Sequence, residues 1–469
     1  MQVYLHRKTR FMVVLCVAQL TGCAVGPDYV RPPVEAPSAF KEATGWKLAR
    51  PRDHELRGKW WNAFNDPLLN ALEEQVNVSN QDLAQAEARF RAAKALVQEA
   101  RAGFFPQLSG SVSATRAGRG ASGATPANVT GTRELTFDAT WEADVWGRIR
   151  RTVEANQADA QASAADLEAT RLSIQAQLAQ AYFQLQATDT QTQLLERTVA
   201  DYQRSLQLTQ NQYAAGVVAR ENVVLAETQL KTTQAQLIDL GVQRAQLEHA
   251  IALLVGKPAS NFALRSALLA AAIPAVPVGV PSTLLERRPD IAAAERRVAA
   301  ANSDIGIAVA AYFPDLTVSA SGGFRSSSVA KWLTVPNRFW AVGPAIAQTL
   351  FDAGARRALT DQAIAAYDAE VAAYRQAVLT GFQEVEDNLA ALRILEQEAQ
   401  VQNEALQSAR LSVALTINQY KAGIVSYLDV ITVQTTALGS ERTAVDLQNR
   451  RLVACILLIK ALGGGWRRE

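Results

Sequence analysis

The sequence predicts an α+β membrane protein with an internal two-fold repeat, in which a β-barrel shared by several copies continues into a coiled coil of long helices. Three observations predict this fold class. One set of motifs occurs twice along the 469 residues. Long stretches without proline carry the heptad spacing of coiled coils. Short segments before them alternate apolar and polar residues, as barrel strands in a membrane do.

The first 22 residues have the pattern of a secretory signal peptide. Arg7, Lys8 and Arg10 precede an apolar run over residues 11–20, which is shorter than the ~20 residues that a membrane-spanning helix needs. The segment Leu20-Thr-Gly-Cys23 is similar to a bacterial lipobox, so we predict cleavage after residue 22 and a covalent lipid on Cys23. Because Ala24 is not aspartate, resemblance to lipoproteins implies sorting to the outer membrane. The alternative is an ordinary signal peptide with an incidental cysteine.

Composition argues against several classes of function. A formal net charge of +2 argues against a nucleic-acid-binding protein, which needs a basic face. The chain has three histidines, far apart in sequence: His6, His54 and His249. This argues against a histidine-rich metal site and against a histidine general base. Cys455 has no disulfide partner once Cys16 leaves with the signal and Cys23 carries lipid. With no paired catalytic residues, phosphate-binding loop or metal-ligand spacing, we expect neither an enzyme nor a cofactor beyond the lipid.

The repeat is visible in short motifs and in the helical pattern. Tyr213-Ala-Ala-Gly-Val reappears 207 residues later as Tyr420-Lys-Ala-Gly-Ile. Between residues 174 and 213 the apolar positions alternate steps of four and three, and residues 381–420 keep the same register. No proline lies between Arg148 and Lys257 or after Ala345. Each half is therefore predicted to hold a very long helix, a turn and a second long helix. The spacing fits a hollow bundle or a filled coiled coil.

Strand-like segments precede the long helices. In residues 135–145, apolar side chains occupy the odd positions and Thr, Asp or Glu the even ones. This period of two, with acids on one face, predicts a membrane β-barrel strand. Residues 108–115 alternate similarly, and residues 316–325 and 339–351 are the counterparts in the second half, where Pro344 weakens the pattern. The alternative is a soluble hairpin packed on a core.

Four strands are too few to close a barrel. Membrane barrels need at least ~8 strands because an unpaired strand edge does not occur in lipid. Two copies would supply eight strands and three copies twelve. An interior wide enough to pass solutes favours three. The chain is therefore predicted to oligomerise, with three copies favoured over two.

Motifs along the whole chain resemble those of a known family. They are Cys23 to Tyr29 with Pro32-Pro33, Trp60-Trp61 before Phe64 to Pro67, Glu286 to Ile291, Tyr312 to Leu316, and Gly343-Pro344 followed by Leu350 to Gly354. Together they resemble the TolC-like outer-membrane efflux factors, most closely the OprM/NodT-type lipoprotein branch. The resemblance implies a homotrimer with one 12-stranded barrel in the outer membrane, continued by a periplasmic α-helical tunnel with a mixed equatorial belt.

With this resemblance we divide the chain into six segments. They are a signal peptide (1–22), a lipidated tether with an equatorial segment (23–69), a first repeat (70–256, with a hairpin at 107–146), an equatorial linker (257–286), a second repeat (287–462, with a hairpin at 315–351) and a tail (463–469).

The resemblance also implies a gate at the turn between the last two helices, residues 420–428. Asp429 matches a position at which some relatives have a constricting acidic ring, and Thr432 stands where a second acid is common. Leu428 matches a hydrophobic plug. Tyr420 and Asn222 match positions whose hydrogen bond holds the inner helices closed. From the residues alone, Asp429 is equally a first-turn acid and Tyr420 an ordinary seam residue.

The implied function is a passive exit duct of a tripartite efflux pump. It would conduct small molecules such as drugs from a periplasmic adaptor and an inner-membrane pump, expected to be proton-driven and of the RND type. Two alternatives are a duct for type I protein secretion and a structural lipoprotein spacer that does not conduct. The sequence does not name the substrate.

Overall fold

The computed structural model describes residues 24–42, 59–119, 128–274, 276 and 287–464. The predicted signal peptide and Cys23 lie outside these residues. The α-helices are α1 (Pro67–Ser79), α2 (Gln81–Ala102), α3 (Arg148–Ala214), α4 (Arg220–Leu254), α5 (Pro289–Ala310), α6 (Ala355–Lys421) and α7 (Tyr427–Ala461). The strands are β1 (Gln107–Arg119), β2 (Asn128–Glu142), β3 (Asp315–Ser326) and β4 (Arg338–Ala347). No described helix is long and apolar enough to cross a membrane.

The helices confirm the internal repeat. Helices α3 and α6 have 67 residues each, and α4 and α7 have 35 each. The four bounds of the first pair return in the second pair at a shift of 207 residues. A helix of 67 residues is ~100 Å long at 1.5 Å per residue. The heptad seams and the absence of proline thus produce rods much longer than an ordinary globular helix.

Glycine ends both long helices at the predicted turns. Gly216 and Gly423 have φ angles of +74° and +73°, which a residue with a Cβ adopts only with strain. Beyond each glycine the backbone N–H of the next residue returns to the helix: Val217 donates to Gln212 O at 2.8 Å, and Ile424 donates to Gln419 O at 2.9 Å. This is the Schellman pattern, which satisfies carbonyls at a helix end.

The four strands form one antiparallel sheet in the order β1-β2-β3-β4. Directly paired residues share a face, as in Val112↔Leu135 and Leu135↔Phe324. One face therefore carries most of the large apolar side chains: Leu108, Val112, Leu135, Phe137, Trp141, Leu316, Val318, Phe324, Trp340, Val342 and Ile346. The other face carries Ser109, Ser111, Glu134, Asp138, Glu142, Ser319 and Ser321. β1 and β4 are the edge strands within one copy, and Pro344 lies in β4.

Two predicted strands end earlier than expected. β2 ends at Glu142 rather than near residue 146, and β4 ends at Ala347 rather than residue 351. In both places an aspartate starts the following helix. Asp144 accepts hydrogen bonds from the N–H groups of Ile149 and Arg150 at 2.9 and 3.0 Å, and Asp352 accepts one from Gly354 at 3.0 Å. These caps turn the chain away from the sheet before the alternating pattern ends.

The structure divides into two compact units. The first unit holds the sheet and, among others, residues 24–33. There Val25 donates to Trp146 O at 3.0 Å, and Arg151 contacts Asp28 at 3.1 Å. A Cβ on Gly26 would lie 2.5 Å from Cα of Gly306, so only glycine fits this contact. The chain that follows Cys23 is thereby fixed at the end of β2.

The second unit holds most of the helical length, and the Trp60–Pro67 motif is part of its core. Asp66 caps α1 by accepting from Leu68 and Leu69, and its other oxygen accepts from the Tyr182 hydroxyl at 2.8 Å. Phe64 packs on Phe183 with ring centroids 5.0 Å apart. The motif thus attaches α1 to the middle of α3.

An ion pair in the second unit holds the segment after α4. Arg244 binds Asp189 at 2.8 Å and donates to Leu264 O at 2.8 Å. At the corresponding positions of the second repeat, Arg451 pairs with Glu396. The predicted match of Arg244 with Arg451 therefore extends to their acidic partners.

Candidate functional site

The candidate site lies at the turns of the two helical hairpins, α3–α4 and α6–α7. Val217 and Ile424, the tip residues, are both exposed. Behind the tips a buried cluster joins the hairpins and contains Tyr420, Tyr427, Val430 and Ala226. The turns are therefore exposed at the ends of a packed four-helix arrangement.

Asp429 is exposed and lies in the first turn of α7. Its Oδ2 accepts hydrogen bonds from Ser426 N at 2.9 Å and Ser426 Oγ at 2.7 Å, while its backbone N–H donates to Ser426 Oγ. This is a capping box. The hydroxyl and N–H of Ser426 lower the pKa of the Asp429 carboxyl. Asp429 therefore caps α7, and its carboxylate is also exposed at the turn, where it can interact with solutes or with other copies.

Leu428 and Thr432 share the exposed side of α7 with Asp429. Leu428 is 59% exposed. The Thr432 hydroxyl donates to Leu428 O at 2.9 Å, so it is bound to its own helix. The opposite side of the helix, with Tyr427 and Val430, is buried. The three predicted gate residues of α7 therefore point away from the packed side of the hairpins.

Tyr420 does not pair with Asn222, contrary to the expectation. Its hydroxyl donates to Oε1 of Gln212 at 2.6 Å. Tyr420 and Gln212 each lie in the last turn of their helices, α6 and α3, which end at equivalent levels of the repeat. Asn222 belongs to the first turn of the next helix, where its backbone N–H donates to Ala219 O at 3.1 Å. The hydrogen bond between the two hairpins therefore uses the side-chain amide of Gln212 in α3, not that of Asn222 in α4.

Tyr427 is a site residue that the sequence analysis missed. It is 2% exposed, and its ring lies 5.5 Å from that of Tyr420. Burial raises its pKa to about 12. The signal was a break in the repeat, because Tyr427 stands where the first half has the exposed Arg220.

A cleft of about 470 Å³ lies beside these tyrosines, between α3, α6 and α7. Its walls include Tyr202, Tyr420 and Tyr427, and Arg410 pairs with Glu441 at its rim. Among the described residues, no group of three or more His, Cys, Asp or Glu side chains could hold a metal ion.

Comparison with known proteins identifies the family. The model of the family described as outer membrane efflux protein matches residues 72–257 and 280–464, one match for each repeat. The chain belongs to the outer membrane efflux protein family. It is 30% identical over 467 residues to the cation efflux system protein CusC of Escherichia coli O6:H1, covering 97% of this chain and 99% of CusC. It is also 30% identical over 462 residues to the toluene efflux pump outer membrane protein TtgC of Pseudomonas putida, covering 96% of this chain and 94% of TtgC.

Solved structures of this family agree with the fold. The outer-membrane channel OprN superimposes with a TM-score of 0.88 at 31% identity, covering 95% of this chain and 100% of OprN. A structure of CusC gives a TM-score of 0.86 at 28% identity. The resemblance, the trimeric barrel with a helical tunnel, the outer-membrane location and the role as an efflux channel are confirmed. The roles of the individual gate residues stay predictions.

Proposed function

We propose that this efflux channel is the exit duct of a tripartite pump for small molecules, working with a periplasmic adaptor and an inner-membrane pump of the proton-driven RND type. The observation that carries the proposal is similarity over nearly the whole chain to outer-membrane components named for the efflux of toluene, cations and antibiotics. A duct has no chemical step, and its energy comes from the pump. Small molecules are favoured over secreted proteins because these relatives are named for small solutes.

The partners can be tested by crosslinking in native membranes and mass spectrometry of what is recovered with the channel. Recovery of an adaptor together with a proton-driven pump is the expected result. Recovery with an ATP-driven transporter would instead favour type I secretion. A purified trimer that never conducts in bilayers would favour the structural spacer.

Asp429 is proposed as the ring that closes the duct at its periplasmic end. A trimer places three copies of this carboxylate around one axis, where they repel each other and attract cations. Leu428 would add an apolar constriction beside the ring, and Thr432 replaces a second acid.

Asp429→Ala should reduce block of the channel by multivalent cations in planar bilayers. Thr432→Ala, one turn later on the same exposed side, is the matched control, and equal block in all three proteins would refute the ring.

We also propose that Cys23 carries the lipid anchor. The contacts of Val25, Gly26 and Asp28 support this, because they fix the chain after Cys23 at the end of a barrel strand. An acyl chain on Cys23 would then enter the adjacent leaflet.

Cys23→Ser should lose incorporation of labelled palmitate, whereas Cys455→Ser should keep it. Palmitate retained in Cys23→Ser would refute the assignment.

A further inference from the structure

All four connections between strands and helices lie at the same end of the sheet. Helices α2 and α5 lead into β1 and β3, while β2 and β4 lead into α3 and α6. Because neighbouring strands are antiparallel, these four connections lie at the same end of the sheet. We call this end the junction, residues 101–106, 142–151, 311–315 and 348–357. The other strand ends, beyond residues 119 and 326, lie at the opposite end.

The junction carries exposed apolar side chains next to the ends of the strands: Phe104, Phe105, Tyr312, Leu350 and Phe351. Leu350 and Phe351 are 90% and 86% exposed in a single copy. Aromatic residues at the end of a lipid-facing sheet are typical of the boundary between hydrocarbon and headgroups. In this family the helices are periplasmic, so the boundary belongs to the periplasmic leaflet of the outer membrane.

Arginines occupy the junction even where the helix dipole disfavours them. Neither α3 nor α6 has an acidic residue in its first turn. A cation at a helix N-terminus is destabilising unless an anion neutralises it. Most of these cations have such an anion: Arg148–Glu142, Arg150–Asp144, Arg151–Asp28 and Arg356–Asp352.

Arg357 and Arg101 differ from these arginines. Both are exposed, and neither makes an ion pair with any residue that the structure describes. Arg357 is in the first turn of α6, where Asp352 is already bound to Arg356 at 2.5 Å. Arg101 is in the last turn of α2, where the helix dipole favours a cation, so only Arg357 lacks compensation at its helix end. Both arginines are without an acidic partner and belong to the same junction as the exposed apolar side chains.

Closure of the barrel places these two arginines on the two sides of the same seam. Arg101 and Phe105 precede β1, and Leu350, Phe351 and Arg357 follow β4. β1 and β4 are the two edges of the sheet. In a ring of three copies, β4 of each copy pairs with β1 of the next. Each seam therefore has Arg357 of one copy on one side and Arg101 of the next copy on the other, so no single copy supplies both arginines of a seam.

We propose that each seam binds the phosphate headgroup of one phospholipid of the periplasmic leaflet, which gives three sites per trimer. Guanidinium groups bind phosphate oxygens through paired, charge-assisted hydrogen bonds. The acyl chains lie against Leu350 and Phe351, which are otherwise exposed. The lipid supplies the anion that the first turn of α6 lacks for Arg357, and it links neighbouring copies.

Native mass spectrometry of the purified trimer, titrated with dioleoyl phosphatidylglycerol, tests the proposal. We expect up to three lipids bound per wild-type trimer. Arg357→Gln and Arg101→Gln should each weaken binding about tenfold, as expected when one charge-assisted contact is lost. Arg357→Lys should restore part of the affinity. The control is Arg220→Gln, which removes an exposed arginine at a helix–helix turn and should leave lipid binding unchanged.

Two results would overturn the proposal. One is the same lipid number and affinity in wild type, Arg101→Gln and Arg357→Gln. The other is full displacement of the lipid by inorganic phosphate at the same concentration, which would mean that the acyl chains contribute nothing. The test does not depend on conduction, so it is separate from the proposed efflux function.

Discussion

A single buried carboxyl group shows how far one residue departs from what its sequence suggests. Glu73, in α1, is fully buried, and both of its carboxylate oxygens lack a hydrogen-bond partner among the described residues. Burial raises its pKa well above the usual value. The sequence could not have indicated this, because Glu73 and Glu74 are adjacent and chemically identical, whereas only Glu74 reaches Lys59 at the surface.

The raised pKa of Glu73 predicts a pH-dependent stability. The native state holds a proton that the unfolded state releases above about pH 4.3, so stability falls as pH rises from there toward the native pKa. The slope approaches ~1.4 kcal/mol per pH unit. Glu73→Gln keeps the shape and removes the titration, so its melting temperature should exceed that of wild type at pH 7 and match it near pH 4.

The control for this prediction is Glu74→Gln, which removes only an exposed ion pair, a contribution of under ~1 kcal/mol. Thermal unfolding of the detergent-solubilised trimer between pH 4 and pH 9 is the measurement. If Glu73→Gln and wild type lose stability in parallel over this range, Glu73 does not titrate in the way that its burial requires.

At the scale of helices and strands, the sequence was most informative where local rules decide the outcome. Heptad spacing, missing proline and the Tyr-x-Ala-Gly turns predict the paired long helices. The end of β2 was not predictable from alternation alone, because the Asp144 cap competes with the strand pattern. The partner of Tyr420 was not predictable either, since it depends on which helix ends lie at one level in space.

The tie between the hairpins predicts a measurable change in gating. Tyr420→Phe removes the hydroxyl that donates to Gln212 and keeps the buried ring. One such hydrogen bond contributes ~1 kcal/mol, so three per trimer contribute ~3 kcal/mol if they break together. Single-channel recording should therefore show a larger open fraction in Tyr420→Phe.

The repeat supplies the control for this change. Tyr213→Phe alters the corresponding tyrosine of the first half, which is about half exposed and should not affect gating. Gln212→Ala should reproduce the effect of Tyr420→Phe, and Asn222→Ala should not. A response to Asn222→Ala alone would restore the original expectation and refute the Gln212 tie.

For the whole molecule, the sheet explains why one chain alone cannot form the barrel. Its register places most of the large apolar side chains on one face, and its two edge strands have no second neighbour within the part of the chain that the structure describes. A single copy is therefore stable in neither medium, because its apolar face would be exposed in water and its unpaired strand edges would be exposed in lipid. The alternation in the sequence predicted the lipid-facing side, and the count of four strands required several copies. The seam between copies could be located only once the order of the strands was known.

Neighbouring residues on β4 therefore predict opposite tolerance to charge. Val342 lies on the apolar face and Ala341 on the opposite face of the same edge strand. Val342→Arg places a cation against lipid and should cost up to ~2–4 kcal/mol if the residue lies near the bilayer midplane. Ala341→Arg points toward the water-filled interior and should be tolerated. The fraction of heat-resistant trimer in outer-membrane extracts should therefore fall in Val342→Arg and stay near the wild-type value in Ala341→Arg. Equal loss in both variants would mean that the sheet does not separate lipid from a hydrated interior.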